Sequence, residues 1–137
     1  MKIRPSALGI VRKDDYILVS KHVDNVTNQT FHRLFGGGIE FGEKSIEAIK
    51  REFLEELGVV IVNEKFLCAV ENIFIYNGEQ GHEITFLYEV DFEDKDLYKV
   101  ERIKRIDHDN QYGEWIPVEE IKNGKLIVYP KETINYL

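Results

Sequence analysis

Three glutamates close together on one predicted helix are the residues best suited to chemistry. Glu52, Glu55 and Glu56 lie within five positions of the chain, and a helix turns by about 100° per residue, so all three share one side of it. Like charges at this spacing repel each other by about 0.2–0.5 kcal/mol per pair. Carboxylate oxygens are also the ligands that Mg²⁺ prefers. The cluster therefore predicts either a solvated acidic face or a site for a divalent cation.

The residues around the helix favour the cation site. A run of three glycines, Gly36 to Gly38, precedes the helix and allows close approach of the backbone to a ligand. The flanking residues follow a spaced pattern with Gly37, Glu43, Arg51, Glu52, Phe53, Glu55, Glu56, Gly58 and Val59 at its fixed positions. This pattern resembles the signature of the Nudix hydrolases at every fixed position. The one nearby difference is Phe35, where a proline often stands in that family.

The resemblance implies a fold and an activity. The fold is an α/β/α sandwich with a mixed β-sheet, formed by residues 1–137 as a single Nudix domain. The activity is metal-dependent cleavage of a pyrophosphate linkage in a nucleoside diphosphate derivative, of the nucleotide or nucleotide-sugar type, with Mg²⁺ as the cofactor and Mn²⁺ as a substitute. Two alternatives remain: a non-catalytic Nudix-fold module that binds nucleotides or regulates, and an unrelated protein with an acidic amphipathic helix.

The resemblance also assigns roles on the helix. Glu52, Glu55 and Glu56 are expected to bind the metal, and the Gly36 carbonyl is a further candidate ligand. Glu52 is also a candidate general base. Arg51 is expected to orient a neighbouring glutamate, and from spacing alone it can reach Glu55 one helical turn later.

Auxiliary acids are expected on both sides of the helix. Glu43 is an auxiliary ligand or an anchor for the helix, and Glu40 either supports the ligands or is plain surface. A later acid often completes such sites. The candidates are Asp109, which the resemblance favours, Glu83 and Glu114.

Substrate contacts are less specific in the sequence. Arg33 and His22 stand where contacts to phosphate or base are plausible. Tyr76 could stack on a base, or it could simply pack within the sheet.

Composition bounds the class of protein. The chain has 137 residues and a net charge of −7, which argues against binding to a nucleic-acid polymer. No apolar run approaches the roughly 20 residues of a transmembrane helix. Cys68 is the only cysteine, so no disulfide is expected within the chain. We therefore expect a cytoplasmic location. The family contains homodimers, and no sequence feature decides the oligomeric state.

The pattern of apolar residues predicts a mixed α/β fold that positions these groups. The expected elements are strands at 7–12, 16–20, 31–35, 59–62, 66–76 and 83–92, a loop at 22–30, a turn at 76–82, a helix at 44–57, a charged loop with a short strand at 93–110, and short helices within 114–121 and 130–137. Gly58 should end the main helix. Strict alternation predicts that residues 83–92 form a half-buried strand, with Ile84, Phe86, Tyr88, Val90 and Phe92 on its apolar face.

Overall fold

Two mixed β-sheets form the centre of the computed structural model, which describes residues 1–137. The strands are β1 (Arg4–Ile10), β2 (Arg12–Lys13), β3 (Tyr16–Val23), β4 (Thr30–Arg33), β5 (Phe35–Gly38), β6 (Ile61–Tyr76), β7 (Glu79–Phe92), β8 (Arg102–Lys104), β9 (Tyr112–Pro117) and β10 (Val128–Tyr129). The helices are α1 (Ser45–Leu57) and α2 (Val118–Lys122), with 3₁₀ turns at Lys95–Lys99 and Lys131–Tyr136.

Each sheet contains one parallel pair among antiparallel ones. The first has the strand order β5-β1-β7-β6, with β1 and β7 parallel. The second has the order β10-β4-β3-β9-β8, with β10 and β4 parallel and β2 paired to β3. The expected class, α/β with mixed pairing, is confirmed, although the pairing is divided between two sheets instead of one.

Two apolar clusters place the helices on opposite sides of the strands. Ala7 belongs to the cluster that also holds the buried face of α1, whereas the next residue, Leu8, belongs to the cluster that holds Val118 and Ile121 of α2. Successive residues of a strand point to opposite faces. The layers therefore follow the order helix, sheet, helix that the resemblance to the Nudix hydrolases implies.

The helix α1 begins and ends where the sequence indicates. Near its start the backbone N–H of Lys44 donates to the carboxylate of Glu47 at 2.9 Å, which satisfies one of the free donors at the helix terminus. Gly58 ends the helix in the left-handed region at φ 67°. Ile49, Phe53 and Leu57 are buried against the sheet, so the adjacent glutamates are held at a fixed angle to the core.

The glycine run is a strand. β5 pairs with β1, with Leu8 opposite Gly36 and Ala7 opposite Gly37. Gly36 has φ 141°, and a side chain there would collide with the carbonyl oxygen of Ala7. Only glycine fits this backbone position, and the strand carries it beneath the glutamates of α1.

The long hairpin of β6 and β7 differs from the sequence prediction. β6 is one strand with two irregularities in its pairing, and the turn contains only Asn77 and Gly78, both with positive φ. On β7, Glu83, Thr85 and Leu87 are buried while Ile84 and Phe86 are half-buried, and from Tyr88 to Phe92 the buried Tyr88, Val90 and Phe92 alternate with the half-buried Glu89 and Asp91. The predicted alternation is therefore confirmed from Tyr88 to Phe92 and wrong at residues 83–87, where Glu83 and Thr85 are the more buried side chains. No helix in the protein has both the length and the apolar surface that a helical membrane crossing requires.

Candidate active site

The Arg51 guanidinium is the centre of the hydrogen bonds on the acidic side of α1. Its Nε and Nη2 donate to the two carboxylate oxygens of Glu43 at 2.8 and 3.0 Å. Its Nη1 donates to Glu52 at 2.8 Å and to Glu55 at 3.2 Å, and Nη2 also donates to the Gly38 carbonyl at 2.9 Å. The expected pairing of Arg51 with Glu55 is confirmed, and Arg51 additionally ties α1 to the end of β5.

Glu43 connects this network to the loop before the helix. Hydrogen bonds from Arg51 and then from the Glu40 backbone N–H lower the pKa of Glu43 to about 2. The Glu40 carboxylate itself is mostly exposed and lies 3.8 Å from Arg51 Nη1. In this structure Glu43 anchors the helix through Arg51. Glu40 takes part in the network mainly through its backbone N–H, which donates to Glu43.

Glu52 lies directly against the glycine strand. A Cβ placed on Gly37 would be 2.5 to 2.8 Å from the three terminal atoms of the Glu52 carboxylate. Real side-chain atoms do not approach this closely, so the carboxylate occupies space that exists because residue 37 is glycine. The glycine run therefore sets the position of Glu52 as well as the path of the chain.

Glu56 is the most buried of the three helix glutamates, with a side chain 12% exposed. It accepts hydrogen bonds from the Gly36 backbone N–H at 3.2 Å and from Arg105 Nη2 at 3.0 Å. Burial raises the pKa of Glu56 to about 7, against the opposing effect of Arg105 and with a contribution from Glu52. Arg105 compensates Glu56 only in part because it also donates to both oxygens of Asp107, at 2.9 and 2.7 Å.

The raised pKa of Glu56 predicts a pH-dependent stability. The folded pKa is about 7 against an ordinary 4.5, so the favourable contribution of the protonated group is complete below its unfolded pKa and is lost as pH rises through the folded one. The loss would approach roughly 3 kcal/mol. In EDTA, the Tm of the wild type relative to Glu56→Gln should fall by several degrees from about pH 5 to about pH 8.

The control for this measurement is Glu119→Gln, which removes an exposed carboxylate on α2. Its Tm should follow that of the wild type across the same pH range. A constant difference between wild type and Glu56→Gln would contradict a raised pKa at Glu56.

The three helix glutamates do not converge on one point. Glu52 and Glu56 both lie against the glycine strand, whereas the Glu55 side chain is 57% exposed and contacts only Arg51. No group of three or more His, Cys, Asp or Glu is arranged to hold a metal ion. The structure thus places Glu52 and Glu56 together and leaves Glu55 further out, and the three-glutamate ligand set stays a prediction. Gly36 contributes its N–H to Glu56 in this arrangement.

Two cavities lie on this side of the protein, and Glu56 lines the smaller of them. One, of about 300 Å³, is lined by Glu56, Gly36, Gly37 and Arg105 together with Arg4, Leu8, Ser20, His22, Arg33, Leu34, His108 and Gln111. The other, of about 670 Å³, contains all three predicted substrate residues, His22, Arg33 and Tyr76, together with Phe31 and Tyr129. His22 and Arg33 line both cavities, so an elongated ligand could extend from Glu56 into the larger space.

Aromatic rings dominate one wall of the larger cavity. His22 stacks on Phe31 with ring centroids 5.5 Å apart, and Tyr76 and Tyr129 meet the Phe31 ring edge-on. Burial, and then the charge of Arg33, lowers the pKa of His22 to about 4. His22 is therefore neutral near pH 7, and it can stack or share a hydrogen bond, as it does with Ser20 at 2.8 Å.

The later acids lie in different places. Asp109 is exposed and lines neither cavity, so the structure does not bring it to the site. Glu114 is half-buried in β9, opposite Val19 of β3. Glu83 is buried, and its carboxylate lies near Arg4 and Arg33.

Sequence reasoning missed Arg105, which contacts Glu56. Its only local signal is alternation: it lies two residues after Ile103, which is buried in the core, so a continued strand would direct it inward. Arg4 was missed as well, because its position beside the cavity depends on the pairing of β1 with both β5 and β7.

Comparisons with known proteins agree with this fold. The sequence profile of the NUDIX domain matches residues 2–136. A MutT NUDIX hydrolase from Burkholderia pseudomallei has a similar structure, with a TM-score of 0.64 and 21% identity, over 87% of this chain and 86% of that one. The mMutator MutT protein from Bacillus halodurans gives a TM-score of 0.65 and 18% identity, over 98% and 80% of the two chains.

A curated relative is similar over a shorter stretch. The NAD-capped RNA hydrolase NudC of Salmonella typhi is 30% identical over 68 residues, which are 50% of this chain and 26% of that protein. This chain thus matches about a quarter of the length of that relative. Because the family profile extends over nearly all of the sequence, and the strands and helices match those of MutT-type structures, the chain belongs to the NUDIX domain family.

Proposed function

We propose that this protein is a metal-dependent hydrolase that cleaves the pyrophosphate linkage of a nucleoside diphosphate derivative. The observation that supports this most directly is the pair of adjoining cavities. In the smaller cavity, Glu56 and the glycine strand lie beside basic side chains. The larger cavity is lined by aromatic rings and has a volume of about 670 Å³. That volume is in the usual range for a small-molecule site. Phosphoryl groups fit the first cavity and a nucleoside fits the second.

The donor atoms near the glycine strand suit Mg²⁺ or Mn²⁺. Glu52 and Glu56 are close enough for the charge of one to raise the pKa of the other, and a divalent cation would relieve that repulsion. Glu52, Glu56 and the more exposed Glu55 would hold the ion, with the remaining positions left to waters and substrate oxygens, as Mg²⁺ prefers. When bound, the ion would neutralise charge on the diphosphate.

The protein groups then have separate tasks in the reaction. Water attacks one phosphorus, a new O–P bond forms, and the bridging P–O bond breaks to release two phosphorylated products. The proton of the water needs an acceptor. Glu52 is the candidate general base, because Arg51 holds its carboxylate at 2.8 Å beside the glycine strand. Arg51 holds Glu52 in place, and the aromatic cavity orients the nucleoside.

Two observations favour the alternative of a nucleotide-binding module without catalysis. Arg105 already forms a hydrogen bond with Glu56, and no three acids are arranged around one point. In that case the two cavities would bind a nucleotide and leave it intact. Hydrolysis assays separate the two functions.

The assay compares compounds with and without a pyrophosphate linkage. ADP-ribose, NAD and UDP-glucose carry the linkage, and NAD is included because of the relative that acts on NAD-capped RNA. With Mg²⁺, at least one of them should give a nucleoside monophosphate, resolved by chromatography, and EDTA should stop the reaction. p-Nitrophenyl phosphate should not react, because a monoester cannot span two phosphoryl positions.

Two results would contradict the proposed hydrolase. One is ready cleavage of p-nitrophenyl phosphate without cleavage of any compound that has the linkage. The other is nucleotide binding, measured by calorimetry, without metal-dependent product from any of them, which would favour the binding module.

A further inference from the structure

Two arginines beside the smaller cavity have no hydrogen-bond partner in the protein. The side chains of Arg4 and Arg33 are 53% and 37% exposed, and the only carboxylate within 4.0 Å of either is Glu83. Arg51 and Arg105, by contrast, donate to carboxylates at 2.7–3.2 Å. The planar donors of Arg4 and Arg33 are therefore free for a ligand.

Glu83, the carboxylate near both arginines, is buried. It lies in β7 between two neighbouring strands, opposite Arg4 of β1 and Asn72 of β6, and its side chain is only 8% exposed. One of its oxygens, Oε1, is buried without any hydrogen-bond partner. Burial of a carboxylate is costly unless opposite charge compensates it, and the compensation here comes from the two arginines.

The distances show that this compensation is loose. Glu83 Oε2 is 3.6 Å from Arg4 Nη1, and Oε1 is 4.0 Å from Arg33 Nη2. Both contacts are longer than the roughly 2.7–2.9 Å of a charge-assisted hydrogen bond. One carboxylate thus faces two guanidinium groups, which leaves an excess positive charge beside the cavity. The charge of Arg33 is also among the causes of the lowered pKa of His22.

The position of the two arginines indicates which part of a ligand they would meet. Arg33 lines both cavities, so it lies between Glu56 on one side and the aromatic rings on the other. Arg4 lies across the end of the glycine strand, where a Cβ on Gly38 would be 3.0 Å from its Nη2. A group between the reacting phosphorus and the nucleoside would therefore contact both.

We propose that Arg4 and Arg33, positioned by the buried carboxylate of Glu83, form a subsite for the phosphoryl group next to the nucleoside. This inference rests on the proposed nucleotide substrate and extends it by naming the residues that bind the second phosphoryl group. A guanidinium group can bind two phosphate oxygens at once. Glu83 is a positioning residue that keeps both guanidinium groups oriented toward the cavity.

Calorimetric titration of ADP in EDTA tests the subsite without metal and without turnover. Arg4→Met and Arg33→Met should each weaken ADP binding by about 10-fold or more, the range expected when a charge-assisted hydrogen bond is lost. The matched control is Arg102→Met on β8, where an arginine that lines neither cavity stacks on Tyr112. Its affinity should stay within about twofold of the wild type, since long-range charge is screened. Unchanged affinity in Arg4→Met and Arg33→Met, or no ADP binding by the wild type, would overturn the subsite.

Glu83→Gln separates positioning from charge. Removal of a negative charge alone would strengthen ADP binding, whereas loss of the positioning contact should weaken it about 3- to 10-fold and raise KM more than it lowers kcat. Unchanged or tighter binding would overturn the role of Glu83. The proposed hydrolase is tested apart from this: if the arginine variants bind normally while the wild type still hydrolyses, only the subsite fails. If the wild type binds ADP through both arginines and hydrolyses nothing, only the hydrolase fails.

Discussion

Replacement of Glu52 by Gln is expected to lower kcat by a factor of about 10² or more, the scale of losing an acid–base or metal-positioning group. Glutamine keeps the shape of the side chain and removes its charge. The carboxylate lies where a Cβ on Gly37 would stand, and Arg51 holds it at 2.8 Å. The amide would fit the same space but would neither accept a proton from water nor bind a cation well. Glu56→Gln should have a similar effect, because Glu56 is the other member of the close pair. Turnover of a pyrophosphate substrate with Mg²⁺ measures both.

Two further variants show whether the loss arises from the metal. Mg²⁺ or Mn²⁺ should raise the Tm of the wild type, because a ligand that binds only the folded state stabilises it. The variant with Gln at Glu52, Glu55 and Glu56 should show no such rise. Glu119→Gln on α2 loses the same charge away from the site and should keep both turnover and the metal-dependent rise. Full activity of Glu52→Gln, or equal rises in wild type and triple variant, would contradict the assignment.

Local signals predicted the helix and its acidic side. The apolar stripe of Ile49, Phe53 and Leu57 repeats at helical spacing, and Gly58 has no side chain to oppose a left-handed end. These features depend on neighbours within two turns of the chain, so the sequence contains them directly. The predicted contact of Arg51 with Glu55 is of the same kind.

Long-range pairing explains where prediction failed. β7 alternates apolar and polar residues, yet two of its polar residues are buried, since Thr85 shares a hydrogen bond with Ser6 of β1 at 2.8 Å and Glu83 faces two arginines. A polar residue that is buried with a distant partner looks the same in the sequence as one exposed to solvent. The contact of Arg105 with Glu56 could not be predicted for the same reason, because the two residues are 49 positions apart in the chain.

Arg51→Lys is expected to lower turnover by a factor of roughly 10 to 10², the effect of misplacing a reacting group by about 1 Å. The Arg51 guanidinium donates at once to Glu43, Glu52 and the Gly38 carbonyl, at 2.8 to 3.0 Å. An ammonium group has the same charge but only three donors at one point, and it cannot span these partners. Glu52 would keep its charge and lose its fixed position. The stability of the folded state should fall much less than turnover, because α1 is held mainly by its buried apolar side.

The measurement that separates these effects is turnover together with Tm. Arg51→Lys should lower kcat strongly and lower Tm by only a few degrees, since the ion pairs are partly exposed and such pairs contribute little to stability. The matched control is Arg102→Lys on β8, where the side chain stacks on Tyr112 away from both cavities; its kcat should be unchanged. If Arg51→Lys retained full activity, the shape of the guanidinium would be irrelevant, and Arg51 would act only as a positive charge beside the carboxylates.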